Sequence, residues 1–157
     1  SAEAKDVTLL YANHPQIINT KDGVQLQILF PTQDMNGAKD SNSASVVTRV
    51  VYGKTSFLLT GDLSHAGELY LVSLYGDELK SNVLKLGHHG SDSSTHPSFL
   101  QTVSPSAAVV SAGKNNSFGH PHQSVVDLVN KFGVQIFSTA EEGNVVFKTN
   151  GLSVWRD

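Results

Sequence analysis

Two short runs of this chain end apolar stretches on side chains that bind metals and move protons. Phe57-Leu58-Leu59-Thr60-Gly61-Asp62 closes on a carboxylate, and Leu84-Lys85-Leu86-Gly87-His88-His89-Gly90-Ser91 closes on paired imidazoles. A neutral imidazole binds zinc or a similar divalent ion through one nitrogen, and a carboxylate can bridge two such ions. Together the runs read as half of a metal centre. Without a Cβ at Gly61 the backbone can turn sharply and leave the Asp62 carboxylate free at a strand end. Gly87 and Gly90 bracket the histidines in the same way. If residues 88 and 89 are extended, their side chains point to opposite faces, so one ligates while the other supports it or meets substrate. His89 is the favoured ligand, with His88 left open.

A third run, Asn115-Asn116-Ser117-Phe118-Gly119-His120-Pro121-His122, places two more histidines in a polar loop. Four of the seven histidines thus fall in two Gly-flanked clusters. His120 and His122 could bind phosphate or donate a proton to a leaving oxygen. Each group also has a plainer reading. Asp62 alone fits a helix N-cap better than a ligand, an isolated His-His pair is as often a packing feature, and the third run could be a helix-capping loop. The order of the runs, Gly-Asp, then Gly-His-His-Gly, then Gly-His-Pro-His, favours the functional reading. His14, His65 and His96 stand alone and read as solvated or packing residues. Glu68 reads as surface or as support for the site, and Tyr11 and Trp155 as core or edge packing.

The elements that must position these residues follow from periodicity and turn chemistry. Val24 to Phe30 alternates and stops at Pro31, which predicts a strand. Thr32 to Ser45 is polar and predicts a surface loop. Val46 to Val51 and Ser56 to Thr60 flank a Gly-containing turn and predict a hairpin. Ala66, Leu69, Tyr70 and Leu74 share a helical spacing, with Ser64 or Asp62 as N-cap. A strand over Asn82 to Leu86, a helix over Pro97 to Val103 with Ser94 or Thr95 near its start, and a buried strand over Ala107 to Ser111 follow. A helix over Gln123 to Phe132 stops at Gly133. Strands over Val134 to Phe137, Asn144 to Phe147 and Leu152 to Trp155 complete the chain. Strands alternating with helices predict an α/β layer whose front half is antiparallel.

The bulk numbers bound the answer. The 157 residues suit one packing unit, and 11 basic against 14 acidic residues give no broad footprint for nucleic acid. With no cysteine, a metal must be held by histidine and carboxylate. No apolar run approaches the ~18 residues of a membrane span, and no signal segment opens the chain. Ser1 to Ala4 reads as an appended stretch outside the functional unit.

The succession Ser45-Val46-Val47, Leu58 to Asp62, Leu84 to Ser91 and Asn115 to His122 resembles the C-terminal metallo-β-lactamase-like domain of the ComEC family, bacterial competence proteins that form the DNA-uptake channel. The similarity runs from about Gly23 to Phe147. It implies an α/β fold, the αββα metallo-hydrolase sandwich with a mixed sheet flanked by helices, of which this chain resembles the C-terminal half. It implies that Asp62 is a metal-bridging carboxylate, that His89 or His88 is the late histidine ligand, and that Ser91, Asn115, Asn116, His120 and His122 line the substrate side. Zinc or manganese is the implied cofactor, and the implied activity is a nuclease acting on the DNA strand that is not transported. The implied setting is a soluble domain of a bacterial membrane protein on the extracytoplasmic side. Its partners there are DNA, the membrane channel region and the first half of the same domain.

One departure is large. Metallo-β-lactamase domains carry a His-x-His-x-Asp-His signature in their first half, and nothing like it occurs in this sequence. The expectation is therefore that this polypeptide alone binds little or no metal, since catalytic zinc takes three protein ligands. Secreted phosphodiesterases share the Gly-Asp and His-His elements and form a second reading. A non-catalytic domain that binds DNA or partner subunits is a third.

Overall fold

The computed structural model describes residues 10–35 and 41–157. Seven strands form one sheet in chain order: β1 (Gln16–Asn19), β2 (Gln25–Phe30), β3 (Val47–Tyr52), β4 (Thr55–Leu59), β5 (Val83–Lys85), β6 (Ala107–Val110) and β7 (Gln135–Ser138). The first four pair antiparallel and the last four parallel. Each parallel connection needs a crossover, supplied by α1 (His65–Tyr75), α2 (Pro97–Val103) and α3 (Gln123–Lys131). Crossovers share one hand, so strands added in chain order place all their helices on one face. That face holds the main core. Leu58, Leu84 and Ala108 of the sheet meet Leu71, Phe99, Leu100, Val103, Val125 and Val129 of the helices.

The opposite face carries Val83, Ala107 and Phe137, with the half-buried Phe57 and Val109. A separate hairpin, β8 (Phe147–Thr149) and β9 (Val154–Arg156), lays Phe147 and Val154 on it. The hairpin turn docks on the β3–β4 turn: Lys54 N–H donates to the Gly151 carbonyl at 2.6 Å. A Cβ on Gly53 would lie 2.4 Å from that oxygen, so the approach requires glycine.

The expected mixed sheet flanked by helices is the one observed, with several local differences. β1 and the short α4 (Thr139–Glu142) are additional elements. The last two strands begin two to three residues later than the apolar pattern suggests, because Asn150 Oδ1 accepts the Leu152 and Ser153 N–H groups and fixes the turn there. The spacing in α1 identified the helix but the wrong face. Leu69, Tyr70 and Leu74 are 40%, 45% and 49% exposed, whereas Leu71 and Glu68 are buried. Tyr11 is exposed rather than core, and Trp155 sits on the edge strand β9. In the polar loop, Ser41–Ala44 forms a 3-10 turn; residues 36–40 lie outside the described residues, as does the stretch Ser1 to Ala4. No helix among the described residues is long and apolar enough to cross a membrane.

Candidate functional site

The three runs meet because β4, β5 and β6 are neighbours in parallel, and each run's polar side chains follow the carboxyl end of its strand. The carboxyl ends of parallel strands are where α/β sheets place ligand sites. Asp62 follows β4, His88 and His89 follow β5, and His120 and His122 sit in the loop between β6 and α3.

Gly61 adopts φ +57, and an added Cβ would lie 3.1 Å from Ser45 Cβ. The turn it makes lets Asp62 N–H donate to Ser45 Oγ at 3.0 Å, so the carboxylate is left half-exposed at the strand tip. Asp62 does not cap α1. Ser64 holds that position, without a side-chain bond.

His88 and His89 are not extended. Both adopt left-handed geometry (φ 44, ψ 49 and φ 57, ψ 21) in a 3-10 turn over Gly87–Gly90. Two successive left-handed residues curl the turn, so the rings come to one side, 6.2 Å apart between centroids, instead of alternating across a strand. The His88 N–H donates to the Gly61 carbonyl at 3.1 Å, tying this turn to the Asp62 strand.

The two rings differ in what they can offer. His89 Nδ1 lies 2.6 Å from the Ser111 carbonyl, which can only accept, so Nδ1 carries the proton. In the neutral ring the lone pair is then on Nε2, 3.7 Å from Asp62 Oδ1. Two acceptors face one another across a gap that a proton or a cation can fill. Nitrogen and oxygen ligands of one tetrahedral zinc stand roughly 3.4 Å apart, given metal bonds of about 2.0–2.2 Å. His88 Nδ1 is instead 3.3 Å from Ser93 Oγ.

His120 stacks on His89, with centroids 6.4 Å apart at 19°, and meets His88 edge-on at 5.5 Å. Burial lowers its pKa below the ordinary histidine value, and His122, His88 and His89 add to this, while Asp92 opposes it. Among the described residues no hydrogen bond reaches its ring nitrogens. His122 is more committed. Asp92 N–H donates to its Nδ1 at 3.2 Å and its Nε2 faces the Phe118 carbonyl at 3.4 Å. The Asp92 carboxylate, 3.3 Å from that same Nδ1, pairs with the ring only when it is protonated.

Of the residues expected on the substrate side, Asn116 is occupied in building the loop: its amide donates to the Gly113 and His120 carbonyls and its oxygen accepts the His120 N–H. Ser91 is buried, with its hydroxyl on Ser93. Asn115 lies exposed on the loop. Glu68 is not a surface residue. It is fully buried, and its two oxygens accept the Thr95 and His96 N–H groups at 2.8 and 2.6 Å. His96 caps α2 by accepting Ser98 N–H on Nδ1 at 3.2 Å. Ser94 is held elsewhere, donating to the Leu63 carbonyl.

The sequence reading missed Lys85. Its ammonium donates to the Gly61 and Leu86 carbonyls at 3.2 and 3.1 Å. The signal was present, as a lysine within an apolar strand. Among the described residues no three histidine or carboxylate side chains converge on one point. Asp62 and His89 match a metal in donor type and separation but do not make a complete ligand set.

The family profile described as the Metallo-beta-lactamase superfamily matches residues 10–114. The chain belongs to the metallo-beta-lactamase superfamily. Members of this superfamily usually bind divalent metals, the chemistry to which the Asp62 and His89 donors are suited. ComE operon protein 3 of Bacillus subtilis is 33% identical over 148 residues, 94% of this chain and 19% of that protein. Competence protein ComA of Neisseria gonorrhoeae is 43% identical over 126 residues, 80% of this chain and 18% of that protein. Recombination protein 2 of Haemophilus influenzae is 37% identical over 123 residues, 78% and 15% respectively. These relatives carry the resemblance to the ComEC family, and the chain spans less than a fifth of each.

Proposed function

We propose that this chain supplies the Asp62–His89 part of a divalent-metal-dependent hydrolase site, completed by residues of a longer polypeptide, that cleaves DNA phosphodiester bonds during DNA uptake. The observation that carries this reading is the pair of facing acceptors, His89 Nε2 and Asp62 Oδ1, 3.7 Å apart at the ends of adjacent parallel strands. Similarity to a protein named for competence supports the setting. Zinc or manganese suits imidazole and carboxylate donors.

Within this chain, His120 is placed to handle a proton. Its ring belongs to the same cluster and, among the described residues, its nitrogens are not engaged. His122 orients the loop, since Gly90 O accepts its N–H at 2.9 Å and its ring bonds Asp92 and Phe118. His88 flanks the pair, and Ser91, Asn115 and Asn116 shape the substrate side. On this reading the domain sits on the extracytoplasmic side of a membrane protein, beside its channel region.

The test uses a longer polypeptide that extends this chain upstream as the relatives extend, incubated with single-stranded and duplex DNA and zinc or manganese. Cleavage that is lost on chelation and in Asp62→Ala supports the assignment. Cleavage that survives Asp62→Ala sinks it.

A further inference from the structure

A cleft of about 340 Å³ opens beside the Asp62–His89 pair, bounded by His89, Asn116, Phe118, His120 and the segment Ser111 to Gly113. That size is at the small end for ligand sites, enough for one flat ring system rather than an extended chain. Its lining is mostly apolar, and among the described residues its only titratable side chains are the His89 and His120 rings, with neither lysine nor arginine, so a phosphate would find no permanent cation in it. The occupant must instead be the uncharged, flat part of a substrate.

Phe118 supplies the matching surface. Its ring is 75% exposed in an otherwise polar loop and, among the described residues, packs on the His120 ring alone, 5.8 Å away at 24°. His120 in turn lies nearly parallel to His89. One ring column therefore runs from the open Phe118 face to the imidazole whose Nε2 faces Asp62. Core packing does not require the phenyl ring, and aromatic rings in this position are what single strands use to stack bases.

We infer that the cleft between Phe118, His120 and the Ser111 to Gly113 segment seats one nucleobase of a single DNA strand, next to the Asp62–His89 pair. This rests on the nuclease reading for its substrate class. Because His89 forms a wall of both features, a base in the cleft brings its own phosphate linkage to the pair. Stacking tolerates all four bases, since each has a π-face. The slot thus selects for an unpaired base and not for a sequence.

The experiment measures anisotropy of a fluorescein-labelled single-stranded oligonucleotide, and of an abasic strand of equal length, titrated with the chain in EDTA so that no cleavage occurs. The base-bearing strand should bind about tenfold tighter than the abasic one. Phe118→Ala should remove that ratio and Phe118→Trp should keep it. The exposed position makes both variants neutral to folding. Equal binding of the two strands by the wild-type chain, absence of binding, or an unchanged ratio in Phe118→Ala overturns the slot. The nuclease reading is decided separately by Asp62→Ala in the longer polypeptide, so Asp62-dependent cleavage alongside equal binding of base-bearing and abasic strands leaves that reading standing and removes only the slot.

Discussion

The Lys85 ammonium lies 3.2 Å from the Gly61 carbonyl, the same oxygen that accepts the His88 N–H at 3.1 Å. One carbonyl thus fixes the end of β4 against the turn that carries His88 and His89. Lys85 also donates to the Leu86 carbonyl, and Thr60 Oγ1 returns a bond to the Lys85 carbonyl at 2.9 Å. Burial lowers the lysine pKa and the nearby Asp62 opposes this, so the amine is a desolvated donor held by its acceptors.

Lys85→Met keeps the length of the stem and removes the donors. The Leu86 carbonyl loses its ammonium partner and Gly61 keeps only the His88 N–H. The expected loss is about 1–3 kcal/mol, typical of a buried polar group left short of a partner. Urea unfolding monitored at Trp155 measures it. An unchanged midpoint would show that the ammonium does not brace the two strand ends.

Glu68 performs the equivalent task one turn further on, where Thr95 adopts φ +66 and its N–H and that of His96 converge on the carboxylate. Burial raises the Glu68 pKa, partly countered by those two N–H bonds and by His65. The folded state then holds this proton more tightly than the unfolded one. Its contribution to stability is greatest below the ordinary glutamate value of about 4.3 and falls as pH rises toward the raised value. His65, whose ring acts on this carboxyl, meets the His96 ring edge-on, 5.4 Å between centroids. Glu68→Gln should flatten the acid side of the stability profile while leaving one of the two N–H groups without its acceptor. Thermal midpoints at pH 4, 5, 6 and 7 for both proteins would check this, and parallel curves would refute it.

Gly90 and Gly119 separate backbone strain from crowding. Both have positive φ, +82 and +73, but a Cβ on Gly90 would lie 2.7 Å from Pro121 Cβ, whereas nothing lies within 4 Å at Gly119. Gly119→Ala should cost about 1–2 kcal/mol, the left-handed penalty alone. Gly90→Ala should cost more, because Pro121 must move and the bond from His122 N–H to the Gly90 carbonyl must stretch. Equal losses from the two variants would mean that the His120–His122 loop yields freely.

The strands and crossovers that build the site were legible because their apolar runs are bounded by strong punctuation, Pro31, Gly61, Gly87 and Gly133. The parallel order then follows from α helices alternating with β strands, and it alone brings Asp62, His89 and His120 to one end of the sheet. Periodicity could not reveal the left-handed pair at His88 and His89, since that conformation depends on the Gly61 and Ser111 carbonyls contributed by neighbouring strands. For the same reason Glu68 gave no sign of burial. Its partners are backbone N–H groups 27 and 28 residues away, which no local pattern encodes. In α1 the apolar residues are spread around the helix, so spacing could not choose between the Leu69 and Leu71 faces.

The strained pair makes a prediction that distinguishes its two members. A non-glycine residue in the left-handed region costs about 1–2 kcal/mol, and such outliers persist where the surrounding structure imposes them. His88 is held by its own N–H and by one long contact to Ser93. His88→Gly keeps the backbone bond and relieves the strain, while the freer unfolded chain takes back about 0.5–1 kcal/mol. Its stability should therefore stay within about 1 kcal/mol of wild type. His89→Gly gains the same relief but loses the 2.6 Å bond to the Ser111 carbonyl, which joins the β5 turn to the end of β6. It should be the less stable of the two by about 1 kcal/mol. Urea titrations of both variants decide the matter: if His88→Gly proves the weaker protein, then His88, not His89, is the ring that this turn is built to hold.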